Sequence, residues 1–202
     1  TRDMVRRYVV STTIYTGIAS GYTIESGTDN GAIDWNSVSN GVDNVVSIIR
    51  SKTTLKNVFL RLYSQSMIYG DPVKDNNYIK SKTYNYIYNI TPKEVRALID
   101  KSSVDSTIKN LKNYETASNR NFIYGLFNWY DPHFSYSALS NIEVKRVSNS
   151  DMLQIQYTSD DPGIAYHTLA ILNEEFVKQY KQLRFGETDN VVEYFRKELA
   201  LL

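Results

Sequence analysis

The sequence predicts an α+β fold, a small mixed or antiparallel sheet covered by helices and leading into a long C-terminal helix that is truncated at the end of the chain. Three observations predict it. Leu153, Ile155 and Tyr157 alternate with Met152, Gln154, Gln156 and Thr158, the period of a strand with one buried face. Ser159, Asp160 and Asp161 then precede Pro162, so that Asp161 is a natural N-cap and Pro162 fills the first helical position, where no N–H is needed. Beyond the cap, Ala165, Leu169, Leu172, Phe176, Tyr180 and Leu183 recur at steps of three and four, one apolar stripe along a helix of about six turns.

The remaining elements follow in chain order. Tyr8 to Tyr15 is rich in β-branched residues and reads as a strand, which needs partners and pairs most simply with the strands near residue 150. Gly17, Gly21, Gly27 and Gly31 mark a loop that lacks both the dinucleotide fingerprint and the Gly-Lys-Ser/Thr ending of a P-loop, so no nucleotide is expected there. Asp34 is positioned to cap a helix carrying Trp35, Val38, Val42, Val45, Val46 and Ile49. Ser51 is positioned to cap the next, carrying Leu55, Val58, Phe59 and Leu62, which gives two short helices joined head to tail. Gly70, Asp71 and Pro72 end them.

The run from Asp75 to Ile90 holds Tyr78, Tyr84, Tyr86 and Tyr88 of the 17 tyrosines. It reads either as an aromatic platform for sugar rings or as a helix that packs Tyr84, Ile87 and Tyr88 on the core. The mixed spacing, which defines no common face, favours packing. Thr91, Pro92 and Glu94 have the pattern of a capping box with proline at the first helical position. Ser103 is placed to cap a further short helix, and Phe122, Ile123, Leu126 and Phe127 suggest another. Ile142, Val144 and Arg146 start a strand that Ser148 to Asp151 join to the strand at 152–158, an antiparallel hairpin. Gly186 is expected to break the long helix, with Thr188 or Asp189 capping a last one that carries Phe195, Leu199 and Leu202 as a stripe with no evident partner. The expected division is therefore residues 1–186, an α+β unit, and residues 187–202, the start of a further helix.

Composition narrows the function. In 202 residues, 23 Lys and Arg face 22 Asp and Glu, a net charge of +1 that leaves no electrostatic footprint for nucleic acid or an anionic membrane. No run approaches the roughly 20 apolar residues that span a bilayer. The chain opens on Thr1 and closes inside an apolar-periodic helix, so it is expected to be part of something longer. With no cysteine, disulfides, zinc–thiolate sites and cysteine nucleophiles are excluded.

Chemistry is sparse in the pattern. His133 and His167, the only two histidines, stand in unrelated contexts with no second histidine at metal spacing and no carboxylate partner in view. Asp160 and Asp161 look like an acid–base pair, but neighbours at a helix start rarely face each other and capping accounts for one of them. Glu174 and Glu175 read as a solvated helix face. No nucleophile elbow is present. The expectation is therefore a non-enzyme with no catalytic, cofactor-binding or metal-binding residues.

The words "LQIQYTSDDPGIAYHTLAILNEEFVKQY" and "VVEYFRKELA", together with "YVVSTTIYTG" near the start, resemble the periplasmic domain of the Wzz-type chain-length determinants, the polysaccharide co-polymerases. The positions that carry the resemblance are Ser159, Asp161, Pro162, Ala165, Asn173 and the helix near Asp189, with Tyr8 to Gly17 matching the strand that follows the family's first membrane helix. It covers roughly half of the chain, the segment 27–140 matching only loosely. The resemblance implies a periplasmic domain of an inner-membrane protein, anchored by helices outside this sequence. It implies a homo-oligomeric ring that works with a polymerase and the growing glycan to set the length of O-antigen lipopolysaccharide, capsule or exopolysaccharide. Two alternatives stay open: the periplasmic domain of a capsule or exopolysaccharide exporter linked to a tyrosine kinase, and a sugar-binding module built on the tyrosine-rich run.

Overall fold

A computed structural model describes residues 6–18, 35–148 and 150–199, with the side chains of Trp35, Ser37 and residues 181–199 outside that description. The elements are β1 (Tyr8–Tyr15), α1 (Trp35–Arg50), α2 (Lys52–Tyr69), α3 (Ser81–Ile90), α4 (Lys93–Arg96), α5 (Val104–Thr116), α6 (Phe122–Asn128), α7 (Tyr136–Leu139), β2 (Glu143–Arg146), β3 (Met152–Ser159) and α8 (Pro162–Leu199). The class is α+β, as expected, and the sheet is wholly antiparallel.

Period-two patterning decides the sheet. β3 lies at its centre in the order β1-β3-β2, with Ile14 opposite Leu153 and Val144 opposite Ile155. Ile14, Leu153, Ile155 and Tyr157 face the helices and are buried, whereas Val9, Tyr15 and Met152 are exposed on the opposite face. The hairpin closes through the Val147 amide, which donates to the Met152 carbonyl at 2.9 Å. Ser148 turns the chain at φ 50°.

Helix α2 is the hub, packed against α1, α5, α7 and α8. The apolar positions expected to be buried, Leu55, Val58, Phe59 and Leu62, are joined inside by Leu60, Tyr63 and Met67, so α2 is surrounded rather than amphipathic. Full burial of such a side chain contributes about 2 kcal/mol relative to exposure. Phe59 stacks on Phe127 at 5.2 Å, and Tyr63 meets Phe134 edge-on at 5.9 Å. α8 then lies across β1, β3 and α2, burying Ala165, Leu169, Leu172 and Phe176, the first four members of its expected stripe. Tyr180 packs at the edge of this core, and Leu183 falls outside the described side chains.

Caps explain where most helices start. The Ser51 hydroxyl accepts from the Thr54 amide at 3.1 Å and the Ser103 hydroxyl from the Ser106 amide at 3.1 Å, both as expected. Asn121 and Ser135 cap α6 and α7 in the same way, which the sequence pattern did not single out. At 16 and 18 residues, α1 and α2 are longer than the expected short pair. The Asp34 cap and the loop glycines at 21, 27 and 31 lie outside the described residues.

Three expectations are corrected. Thr91 forms no capping box: α4 starts at Lys93 without a side-chain cap, and the Thr91 hydroxyl donates back to the Ile87 carbonyl at 2.7 Å while accepting from Tyr63. A buried phenol needs a partner more than a four-residue helix needs a cap. Tyr88 does not pack on the core; it is 38% exposed, tilted against Tyr84 and covered by the Arg96 guanidinium at 4.6 Å. Gly186 does not break the last helix, and neither Thr188 nor Asp189 caps a new one, because α8 is continuous over 38 residues. One interior glycine costs only about 1 kcal/mol, too little to end a helix of that length. Phe195, Leu199 and Leu202 lie outside the described side chains. Among the described residues, no helix is long and apolar enough to cross a membrane.

Candidate functional site

Three segments converge where β3 turns into α8: the stretch leading into α3, the turn leading into α7, and the β3–α8 turn itself. Asp161 ties two of them. Its Oδ1 accepts from the amides of Gly163 and Ile164 at 3.0 and 3.3 Å, the expected cap. Its Oδ2 accepts from the amide of Lys80, the residue that opens α3, at 2.8 Å. A single buried carboxylate therefore starts one helix and holds the start of another.

Asp131 organises the third segment. It is buried, its Oδ1 accepts from the amides of His133 and Phe134 at 2.9 and 2.8 Å, and its Oδ2 accepts from the Tyr86 hydroxyl at 3.2 Å. This turn presents His133, whose Nε2 lies 2.6 Å from Asp160 Oδ1. Among the described residues, His133 Nδ1 is buried with no hydrogen-bond partner, so a neutral ring carries its hydrogen on Nε2, and in either form of the ring Nε2 donates to Asp160. Partial burial works to raise the Asp160 pKa, but the His133 hydrogen bond and charge, with help from Lys80, outweigh it and hold the carboxyl below its usual range. Behind the pair, burial pushes the Tyr157 phenol up to about 12, aided by the Asp160 and Asp131 charges. Lys80 itself donates to the Asp160 carbonyl at 2.7 Å and sits 4.7 Å above the Tyr8 ring.

The His133–Asp160 pair opens into a cleft of about 300 Å³ rimmed by Arg6, Lys82 and Tyr86. With hydrogen-bonding groups at its floor and cations at its rim, it can hold a polar or anionic group. Among the described residues, no group of three or more His, Asp or Glu side chains is placed to hold a metal ion.

A second cleft, of about 540 Å³, lies by the same turn and is lined by Asn77, Tyr78, Pro162, Tyr166 and His167. Here the rings are stacked: His167 lies parallel to Tyr78 at 4.4 Å and 7°, and Tyr78 lies on Tyr69 at 4.4 Å. Burial under these rings lowers the His167 pKa, against the opposing effect of its hydrogen bond to the Asn77 backbone. The close seat of the Tyr78 segment on α8 depends on Gly163, where a Cβ would fall 2.3 Å from the Tyr78 carbonyl oxygen.

The two histidines thus occupy separate clefts, and the absence of a carboxylate partner for His133 is corrected by Asp160, 27 residues away. Asp160 and Asp161 act apart, one on His133 and one on backbone amides. Glu175 is not on a solvated face: it is 8% exposed and accepts from the Asn57 carboxamide at 3.2 Å. The Asp-Pro-His turn is the only local signal that a residue near His133 is held in place. No family model, curated protein or solved structure matches the chain.

Proposed function

We propose that this chain is the periplasmic domain of an inner-membrane polysaccharide co-polymerase, a non-enzymatic scaffold that sets the chain length of a surface polysaccharide. The observation that carries the reading is the β3–α8 unit. A central strand passes through Ser159, Asp161 and Pro162 into a helix of 38 residues, about 57 Å at 1.5 Å per residue. The strand and the Asp-Pro cap are those on which the resemblance rests, whereas the helix that the resemblance opens near Asp189 is here the continuation of α8. In this reading the α+β body stands at the membrane, copies of the chain assemble into a ring, and the polymerase and growing glycan are its partners. Oligomer contacts, rather than turnover, carry the activity.

The test is a gel of surface polysaccharide from cells with the full-length gene deleted and then restored. The expected result is polymer that persists without its preferred length and regains it on restoration. Loss of all polymer would favour the exporter reading, and an unchanged ladder would overturn both.

A further inference from the structure

We infer that the cleft between Tyr78, Tyr166 and His167 is a saccharide subsite that takes a neutral pyranose residue of a glycan chain. The choice of a glycan rests on the co-polymerase reading; the choice of a neutral pyranose rests on the cleft. Tyr166 meets His167 at 5.1 Å and 89°, while His167 lies parallel to Tyr78, so the aromatic surfaces form a right-angled corner. Tyr166 is 58% exposed although it lines the cleft, and it lies off the stripe that α8 buries. A pyranose has an apolar face of C–H groups and a rim of hydroxyls, which suits an aromatic wall beside groups that hydrogen-bond at the edge.

The edge groups are present. His167 uses one ring nitrogen on the Asn77 backbone, and in its neutral form the other nitrogen accepts a hydroxyl hydrogen. Asn77, exposed at the rim, offers a carboxamide that both donates and accepts. Anions are poorly served: among the described residues no Lys, Arg, Asp or Glu lines the cleft, and the α8 amides of Gly163 and Ile164 are already taken by Asp161. A phosphate or carboxylate would therefore be desolvated without a counter-charge. A purely aliphatic occupant would leave the Asn77 carboxamide and the His167 nitrogen without partners. The volume, about 540 Å³, falls in the range of small-molecule sites.

The experiment uses oligosaccharide fragments released by mild acid from the surface polysaccharide of the producing cells, added to the chain in saturation-transfer NMR with irradiation of the aromatic protons. The expected result is transfer to ring C–H protons of a neutral sugar residue, with affinity about tenfold weaker in Tyr166→Ala and unchanged in Tyr130→Ala, an exposed tyrosine that does not line the cleft. Absence of transfer to the wild-type chain, or equal affinity in Tyr166→Ala, would overturn the subsite. Transfer only to acidic residues, or displacement by inorganic phosphate, would overturn its neutral class. The polysaccharide gel separates the two readings: binding with an unchanged ladder removes length control and leaves the subsite, whereas length control without binding does the reverse.

Discussion

Tyr63 and Thr91 show how one hydroxyl is committed by burial. Tyr63 is fully buried, and burial pushes its phenol far above the usual value. Because Thr91 donates to Ile87, the 2.9 Å contact leaves Tyr63 as donor to Thr91. Thr91→Val keeps the shape and strands the phenol, which should cost about 1–3 kcal/mol. Adding Tyr63→Phe should recover most of that loss in urea unfolding, and equal stability of Thr91→Val and the wild type would mean the bond contributes nothing. His167 sets a pH dependence at the same scale. Its folded pKa is lowered, so the unfolded chain binds the proton more readily. Stability is then complete above the unfolded value, about 6.5, and declines as pH falls from there towards the folded value. His167→Gln should flatten that part of a melting-temperature profile; an identical slope would assign it to other groups.

At the scale of elements, the turn from β3 into α8 is more than a helix start. A simple N-cap is worth about 1 kcal/mol, but Asp161 also accepts the Lys80 amide, and bonds to a buried carboxylate are worth more than neutral ones. Asp161→Ala should therefore cost about 3 kcal/mol, read as a lowered urea midpoint, and should release the start of α3, read as faster hydrogen exchange at Lys80. A loss confined to about 1 kcal/mol, with Lys80 still protected, would reduce Asp161 to a local cap. Elsewhere the elements followed their local signals where nothing competed, as at Ser51 and Ser103. They departed from them where a tertiary partner offered a better bond, as at Thr91.

For the whole molecule, the described core of α8 ends with Phe176 and Tyr180, whose hydroxyl donates to the Thr16 carbonyl at 3.2 Å. On the division into residues 1–186 and a further helix, the α+β body is complete without the end of α8. A chain stopped after Leu183 is expected to unfold cooperatively with nearly the full chain's midpoint, while the full-length protein lacking 187–199 should fail to restore polysaccharide length in the deletion strain. A collapsed midpoint in the shortened chain would place part of the core beyond residue 183 and count against a base-and-helix division. The exposed sheet face at Val9, Tyr15 and Met152 belongs to the same scale, since the described helices pack on the other side.

By itself the sequence determined what depends on neighbours along the chain. The β-branched run of β1, the alternation in β3, the stripe from Ala165 to Phe176, and the Ser51, Ser103 and Asp161 caps were all legible, because a strand's composition and period and a cap's reach span only a few residues. The α+β class followed from them. Only the tertiary structure decided that β3 sits at the sheet centre, that Asp131 holds the turn presenting His133 to Asp160, that Glu175 is buried, and that Tyr78 stacks between Tyr69 and His167. Those contacts join residues from distant parts of the chain. No periodicity records them, since their geometry exists only once β3, α3 and α8 have packed together.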